Sequence, residues 1–146
     1  MLFTGSFGKN LEILTREMDV SAMRRNVIAN NIANSDTPNF KRSVVNFESQ
    51  LKRALDSEKA LRPPEEGGTF FPQLVTHPRH IAFAKPMDWS EVRPRRVLDY
   101  LTEAKNNGNN VDIEEEGMDS LSNQLLYTTL AQVISSEFQR VNIVLR

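Results

Sequence analysis

Apolar and polar positions keep a helical rhythm at the two ends of the chain and lose it in between. From about Lys9, the residues Leu11, Leu14, Met18, Ser21, Arg25, Ile28 and Ile32 recur at steps of three and four. That spacing places side chains on one face of a helix and is close to a heptad seam. Ser21 and Arg25 interrupt the seam; a charge there weakens a two-stranded coil but finds partners in a larger bundle. A helix of roughly 25 residues spans about 38 Å. At the other end Met118, Leu121, Leu125, Leu126, Leu130, Val133, Ile134, Phe138, Val141, Val144 and Leu145 form a wider stripe that runs on without a capping signal. A helix of roughly 33 residues reaches about 50 Å. Asp112 is a capping residue type, with Glu115 three positions on as its capping-box partner. Glu114, Glu115 and Glu116 suit the positive end of that helix, and Arg140 and Arg146 the negative end. Gly117 costs a helix about 1 kcal/mol relative to Ala, so it marks a close backbone contact or a slight bend.

Residues 43–61 carry a weaker pattern. Phe47, Leu51, Ala54, Leu55 and Leu61 give an apolar edge, and Lys52, Arg53, Asp56, Glu58 and Lys59 a solvated face. Beyond it Pro63, Pro64, Pro72, Pro78, Pro86 and Pro94 exclude long helices. Short extended pieces are compatible with residues 69–75 and 95–98. Asn106-Asn107-Gly108-Asn109-Asn110 reads as a polar turn or hinge. The expected organisation is a leader at 1–8, where Gly5 and Gly8 argue against helix, then an N-terminal helix and loop at 9–42. A short helix at 43–62, a Pro-rich loop or small β insertion at 63–110 and a C-terminal helix at 111–146 follow. The expected fold class is mainly α, with the terminal helices paired as an antiparallel coiled coil.

The first helix ends in crowded amides. Asn26, Asn30, Asn31 and Asn34 lie at three- and four-residue spacing near its end, placed to bond loose backbone ends or a neighbouring chain. Asn34 suits the position just past a helix end. Thr37 is pushed out of the helical region by Pro38, and Asn39 tolerates the left-handed conformation of a turn. Read from spacing alone, this is a helix C-terminus followed by a loop.

Composition narrows the classes. The chain has 146 residues and a net charge of −1, which points to neither a nucleic-acid-binding surface nor a polybasic lipid-binding one. Residues 1–62 carry a net +3 and residues 101–146 a net −4, so the two ends are weakly complementary. There is no cysteine, which removes disulfide and thiol chemistry, and no apolar run long enough to span a membrane. The start, Met1 to Gly8, lacks the basic residues and cleavage site of a secretory leader. His77 and His80 are the two histidines; without further ligands they do not complete a metal site. No Gly-rich phosphate loop and no ordered Ser, His and Asp set points to an enzyme. Arg24-Arg25 and Lys41-Arg42 are the places where DNA would bind, against the charge balance.

Ala29-Asn30-Asn31-x-Ala33-Asn34-x-x-Thr37-Pro38-x-Phe40-Lys41 resembles the N-terminal signature of the bacterial flagellar rod and hook proteins, which usually carry Gly then Tyr where this chain has Asn39 and Phe40. Asn110-Val111-Asp112, Glu116, Gly117 and Met118, followed by Asn123-x-x-Leu126-Tyr127, resemble the proximal-rod members. So does Thr76-His77-Pro78-x-His80-Ile81. The resemblance implies a structural subunit of the basal body in the periplasmic space, exported by the flagellar apparatus without a cleaved signal. It implies other rod proteins, the membrane-ring adaptor and the export gate as neighbours, and no cofactor. Phe3 and Phe7 then match a short apolar export element; a helix-entry contact is the other reading.

The residues themselves argue for assembly. Leu11, Leu14, Met18, Ile28 and Ile32, set against Met118, Leu121, Leu125, Leu126, Leu130, Ile134, Phe138, Val141 and Leu145, give each helix more apolar width than one partner covers. Neighbouring copies would cover the remainder, and a repeated contact between different faces builds an open helical tube. A soluble helical adaptor or scaffold outside the flagellum shares the same helix physics and stands as the alternative.

Overall fold

The computed structural model describes residues 6–61, 77, 79, 87–103 and 105–145. It forms two compact units, Met1–Val45 with Arg95–Arg146, and Asn46–Pro94.

In the first unit α1 (Ser6–Ala33) packs along α3 (Ile113–Val144). Ser21 bonds to Asn123 and Asn31 to Glu116, so partners advance along one helix as they recede along the other, which makes the pair antiparallel. β1 (Ser43–Asn46) and β2 (Arg95–Leu98) make a two-stranded sheet. The Asp99 amide donates to the Arg42 carbonyl at 2.9 Å, joining the end of β2 to the start of β1 in the antiparallel sense. Asp112 caps α3 by accepting from the Glu114 amide at 2.9 Å.

Among its described residues the second unit holds α2 (Glu48–Leu61) and a 3-10 turn, Trp89–Glu91. Asp88 caps that turn through the Ser90 amide, and the Met87 amide donates to Ser57 Oγ at 3.2 Å. Phe47, Leu51, Ala54 and Val92 are buried.

Four expectations need correction. Helix α1 begins at Ser6 and contains Gly8; a single helical glycine costs only about 1 kcal/mol, which the rest of a long helix outweighs. Residues 43–46 are a strand, not the start of a helix. Their burial alternates with period two, and Val44-Val45 is a β-branched pair. Residues 95–110 belong with the terminal helices rather than with a Pro-rich insertion. The buried face of α1 comprises Val20, Ser21, Val27, Ile28 and Asn31, while Arg25 is exposed and Ile32 half-buried. Counting apolar residues shifts the seam because two of the true core positions are polar. The strand expected at 95–98 is present; the piece at 69–75 lies outside the described residues.

Candidate functional site

The signature loop is closed by its own backbone and by amides from far along the chain. Helix α1 ends as the Asn34 amide donates to the carbonyls of Asn30 and Asn31, at 3.2 and 3.1 Å. Asn39 takes a φ of 59°, the left-handed value expected of it. Asn109, fully buried, donates its side-chain amide to the carbonyls of Asn34, Ser35 and Thr37 at 2.9–3.0 Å. Lys105 Nζ adds a bond to the Ser35 carbonyl at 2.8 Å. Asn110 accepts from the Arg42 amide and donates to the Asp99 carbonyl at 2.8 Å. The run 106–110 is therefore more than a hinge: it supplies donors to the carbonyls of the loop that follows α1.

Asn31 is the hub of the signature. It is 1% exposed. Its Oδ1 accepts from the Ser43 amide at 3.1 Å, and its Nδ2 donates to the Ser43 carbonyl at 2.8 Å and to Glu116 Oε1 at 3.0 Å. Arg42 then spreads its guanidinium over three carboxylates of α3. Nε donates to Glu116 at 2.6 Å, while the terminal nitrogens reach Glu115 and Asp119 at 2.7 Å each. Such charge-assisted bonds are about twice as strong as neutral ones. Glu115 is thereby spent on Arg42, not on a capping box. Farther along, Asn123 Nδ2 donates to the Ser21 carbonyl at 2.9 Å and Ser21 Oγ to Asn123 Oδ1 at 3.0 Å.

Burial raises the pKa of Glu116, a rise that the Arg42 bond and charge oppose and the Asp119 charge reinforces. Burial pulls the other way on Arg42, but its bonds to Glu115 and Glu116 raise it overall. Asp99 is lowered by the Thr102 hydroxyl and the Leu101 amide.

A profile of the family described as "Flagella basal body rod protein" matches residues 21–41, the span from the buried Ser21 through Asn31 to the end of the loop. The flagellar basal body rod protein FlgB of Borrelia hermsii is 39% identical over 140 residues, covering 96% of this chain and 98% of that protein. The FlgB of Borreliella burgdorferi is 37% identical over the same shares, and that of Bacillus subtilis 30% identical over 99% of this chain and 95% of its own. The chain belongs to the FlgB family of flagellar basal-body rod proteins. It is a structural rod subunit and not an enzyme, which sets aside the adaptor outside the flagellum.

In this rod subunit the signature residues divide sharply. Asn31 is buried, Asn34 and Phe40 are half-buried, and Ala29, Asn30, Ala33, Thr37 and Pro38 are exposed. Among the expected packing residues, Ile28 and Leu130 are buried, and Leu11, Leu14, Met18, Ile32, Ile134 and Val141 are half-buried. Met118, Leu121, Leu125, Leu126, Phe138 and Leu145 are exposed. Phe7 shares a cleft of about 330 Å³ with Phe138, Val141, Val144 and Leu145. Phe3 and His80 lie outside the described residues. Of the two readings of Gly117, a close backbone contact or a slight bend, the first finds no neighbour among the described residues: a Cβ built there meets nothing within 4 Å. No helix among the described residues is long and apolar enough to cross a membrane.

Sequence reasoning missed Glu116, Asn123, Asn109 and Arg42 as interior or bridging groups. Only their place in the resembling motifs, or the run of Asn before a capped helix, pointed to them.

Proposed function

We propose that the chain polymerises through its terminal helices into the proximal rod. The outward face of α3 would be covered by adjoining subunits, and the α1–α3 pair would wind as a coiled coil in the wall of the drive shaft that carries motor torque. The observation that carries this is the inversion of α3. Its inner face carries Glu116 and Asn123 beside Leu130, all buried, while Met118, Leu121 and Leu125 are 65%, 53% and 61% exposed. At roughly 100° per residue these three lie on the side of the helix opposite Glu116 and Asn123. A helix that gives inner positions to polar residues while Met118, Leu121 and Leu125 face outward is built for a second partner. The FlgB family supports other rod proteins as those partners. The membrane-ring adaptor and the export gate belong to the same reading, as does a periplasmic basal body reached by flagellar export without a cleaved signal. Phe3 and Phe7 serve there as the export element.

The experiment is Leu121→Asp with Leu125→Asp, expressed in place of the natural chain. Neither side chain is buried in the subunit, so helix content by circular dichroism should stay the same while rods fail to assemble and motility is lost. Normal swimming with the variant incorporated would overturn the reading.

A further inference from the structure

We propose that Arg25, in a polar cleft along one flank of the α1–α3 pair, is paired by an aspartate or glutamate side chain of an adjoining rod subunit; the source of that carboxylate rests on the assembly argued above. The cleft holds about 470 Å³, and the residues that line it all belong to α1 and α3. Among them Arg25 alone carries a charge. Ser21 and Asn123 in its wall are satisfied by each other. Arg25, Gln124 and Tyr127 are exposed, and none of the three side chains makes a hydrogen bond or ion pair with another described residue. A guanidinium, a carboxamide and a phenol all donate hydrogen bonds. The cleft therefore offers a positive charge and spare donors, and no anion to meet them.

The two flanks of the helix pair differ in this respect. At roughly 100° per residue, Asp119, Ser122 and Leu126 fall on one side of the inner line through Glu116, Asn123 and Leu130, and Ser120, Gln124 and Tyr127 on the other. On the first side β1 backs the helices, and the cations have acceptors: Arg24 donates to the Val45 carbonyl at 3.5 Å, and Arg42 bridges to Glu116 and Asp119. Arg25, on the second side, has none. That second side also adjoins the outward apolar face, because Leu121 and then Leu125 follow Gln124 around the helix. A neighbour seated on Leu121 and Leu125 borders the cleft and takes water away from Arg25. A cation desolvated without a counter-charge is strongly unfavourable, so the neighbour must bring the anion. A carboxylate matches the guanidinium fork with two parallel bonds. A charge in the helical seam, which weakens a two-stranded coil, then has its partner in the larger bundle.

The test expresses Arg25→Glu and Arg25→Lys in place of the natural chain. Arg25→Glu should leave the helix content of the purified chain unchanged and cut the number of assembled rods at least tenfold, whereas Arg25→Lys, which keeps the charge, should assemble. Basal bodies purified with Arg25→Lys are then treated with a zero-length carbodiimide, which joins an amine to a carboxylate it touches. The introduced amine should be found by mass spectrometry bonded to an Asp or Glu, in a band that carries two subunits on a denaturing gel; the natural chain, with a guanidinium at that position, is the control. Should Arg25→Glu not fold, the crosslink decides alone. Normal rods with Arg25→Glu overturn the pairing. So do rods that fail equally with Arg25→Lys, and an amine at position 25 that is unreacted or joined only within its own chain. If Leu121→Asp with Leu125→Asp blocks rods while Arg25→Glu assembles, assembly stands and this contact falls. If that double variant assembles and swims while the crosslink forms, the pairing stands and the apolar face of α3 is not what builds the rod.

Discussion

At the scale of single residues the signature loop depends on two backbones in the left-handed region that touch each other. Gly108 has a φ of +76°, and a Cβ added there would meet Asn39 Oδ1 at 2.7 Å. Asn39, at φ 59°, donates its amide to the Asn107 carbonyl at 3.0 Å. Left-handed geometry costs an L-residue about 1–2 kcal/mol. Gly108→Ala is therefore expected to destabilise the chain by at least that much, read as a lower denaturation midpoint; an unchanged midpoint would count against the loop closure. Glu116 sets a pH dependence of unusual sign. Its pKa in the fold is raised above the ordinary 4.5, so the folded state holds that proton longer than the unfolded one. Its contribution is complete below that value and is lost as pH climbs through the raised one. Asp99, lowered from 3.8, works in reverse: its contribution is present above its ordinary value and is lost as pH falls through the lowered one. The groups facing Glu116 are Arg42, Asn31 and Asp119. With Glu116→Gln, the stability of the natural chain minus that of the variant should shrink as pH rises from 4.5 toward neutrality in denaturant titrations. A difference that is flat or widens would contradict the assignment.

At the scale of elements, the two terminal helices were legible from periodicity, and so were the Asp112 cap, the turn at Asn39 and the strand at 95–98. Their register was not. Apolar counting assumes that a core is apolar, and here Ser21, Asn31, Glu116 and Asn123 occupy the buried interface while leucines look outward. Polar residues can hold such places only because each finds a partner on the facing element, and that pairing depends on distances of 85 and 102 residues along the chain. Nothing in a local window reports it. The same blindness hid Arg42, whose carboxylates come from a helix 73–77 residues away. Gly117 shows what the pattern meant once the fold is known. Among the described residues a Cβ there meets nothing within 4 Å, so Gly117→Ala should raise the helicity and stability of the free chain by roughly 0.5–1 kcal/mol. If an adjoining subunit approaches that backbone, the same change should impair rod assembly. Lower stability of the free chain would contradict the open environment of Gly117.

At the scale of the whole molecule, order is concentrated where the polar bonds are. In the unit built from the chain ends, the buried residues of α1 lie between Val20 and Asn31 and those of α3 between Glu116 and Leu130. Past Leu130 helix α3 runs on to Val144 with no buried residue, and Ile143, Val144 and Leu145 are 73%, 84% and 67% exposed. Helical hydrogen bonds that are not backed by burial open readily, because helix stability in a protein comes mostly from packing. Hydrogen exchange on the purified subunit should therefore grade along α3. Amides from Glu116 to Leu130 should be protected together with Val20 to Asn31, and those beyond Val133 should exchange orders of magnitude faster. In assembled rods the slow region should extend to the end of the helix, since the apolar residues left open in the free subunit are those a neighbour would cover. Uniform protection of α3 in the free subunit would mean that the chain satisfies its own distal helix, and the case for completing it by assembly would rest on the Met118, Leu121 and Leu125 face alone.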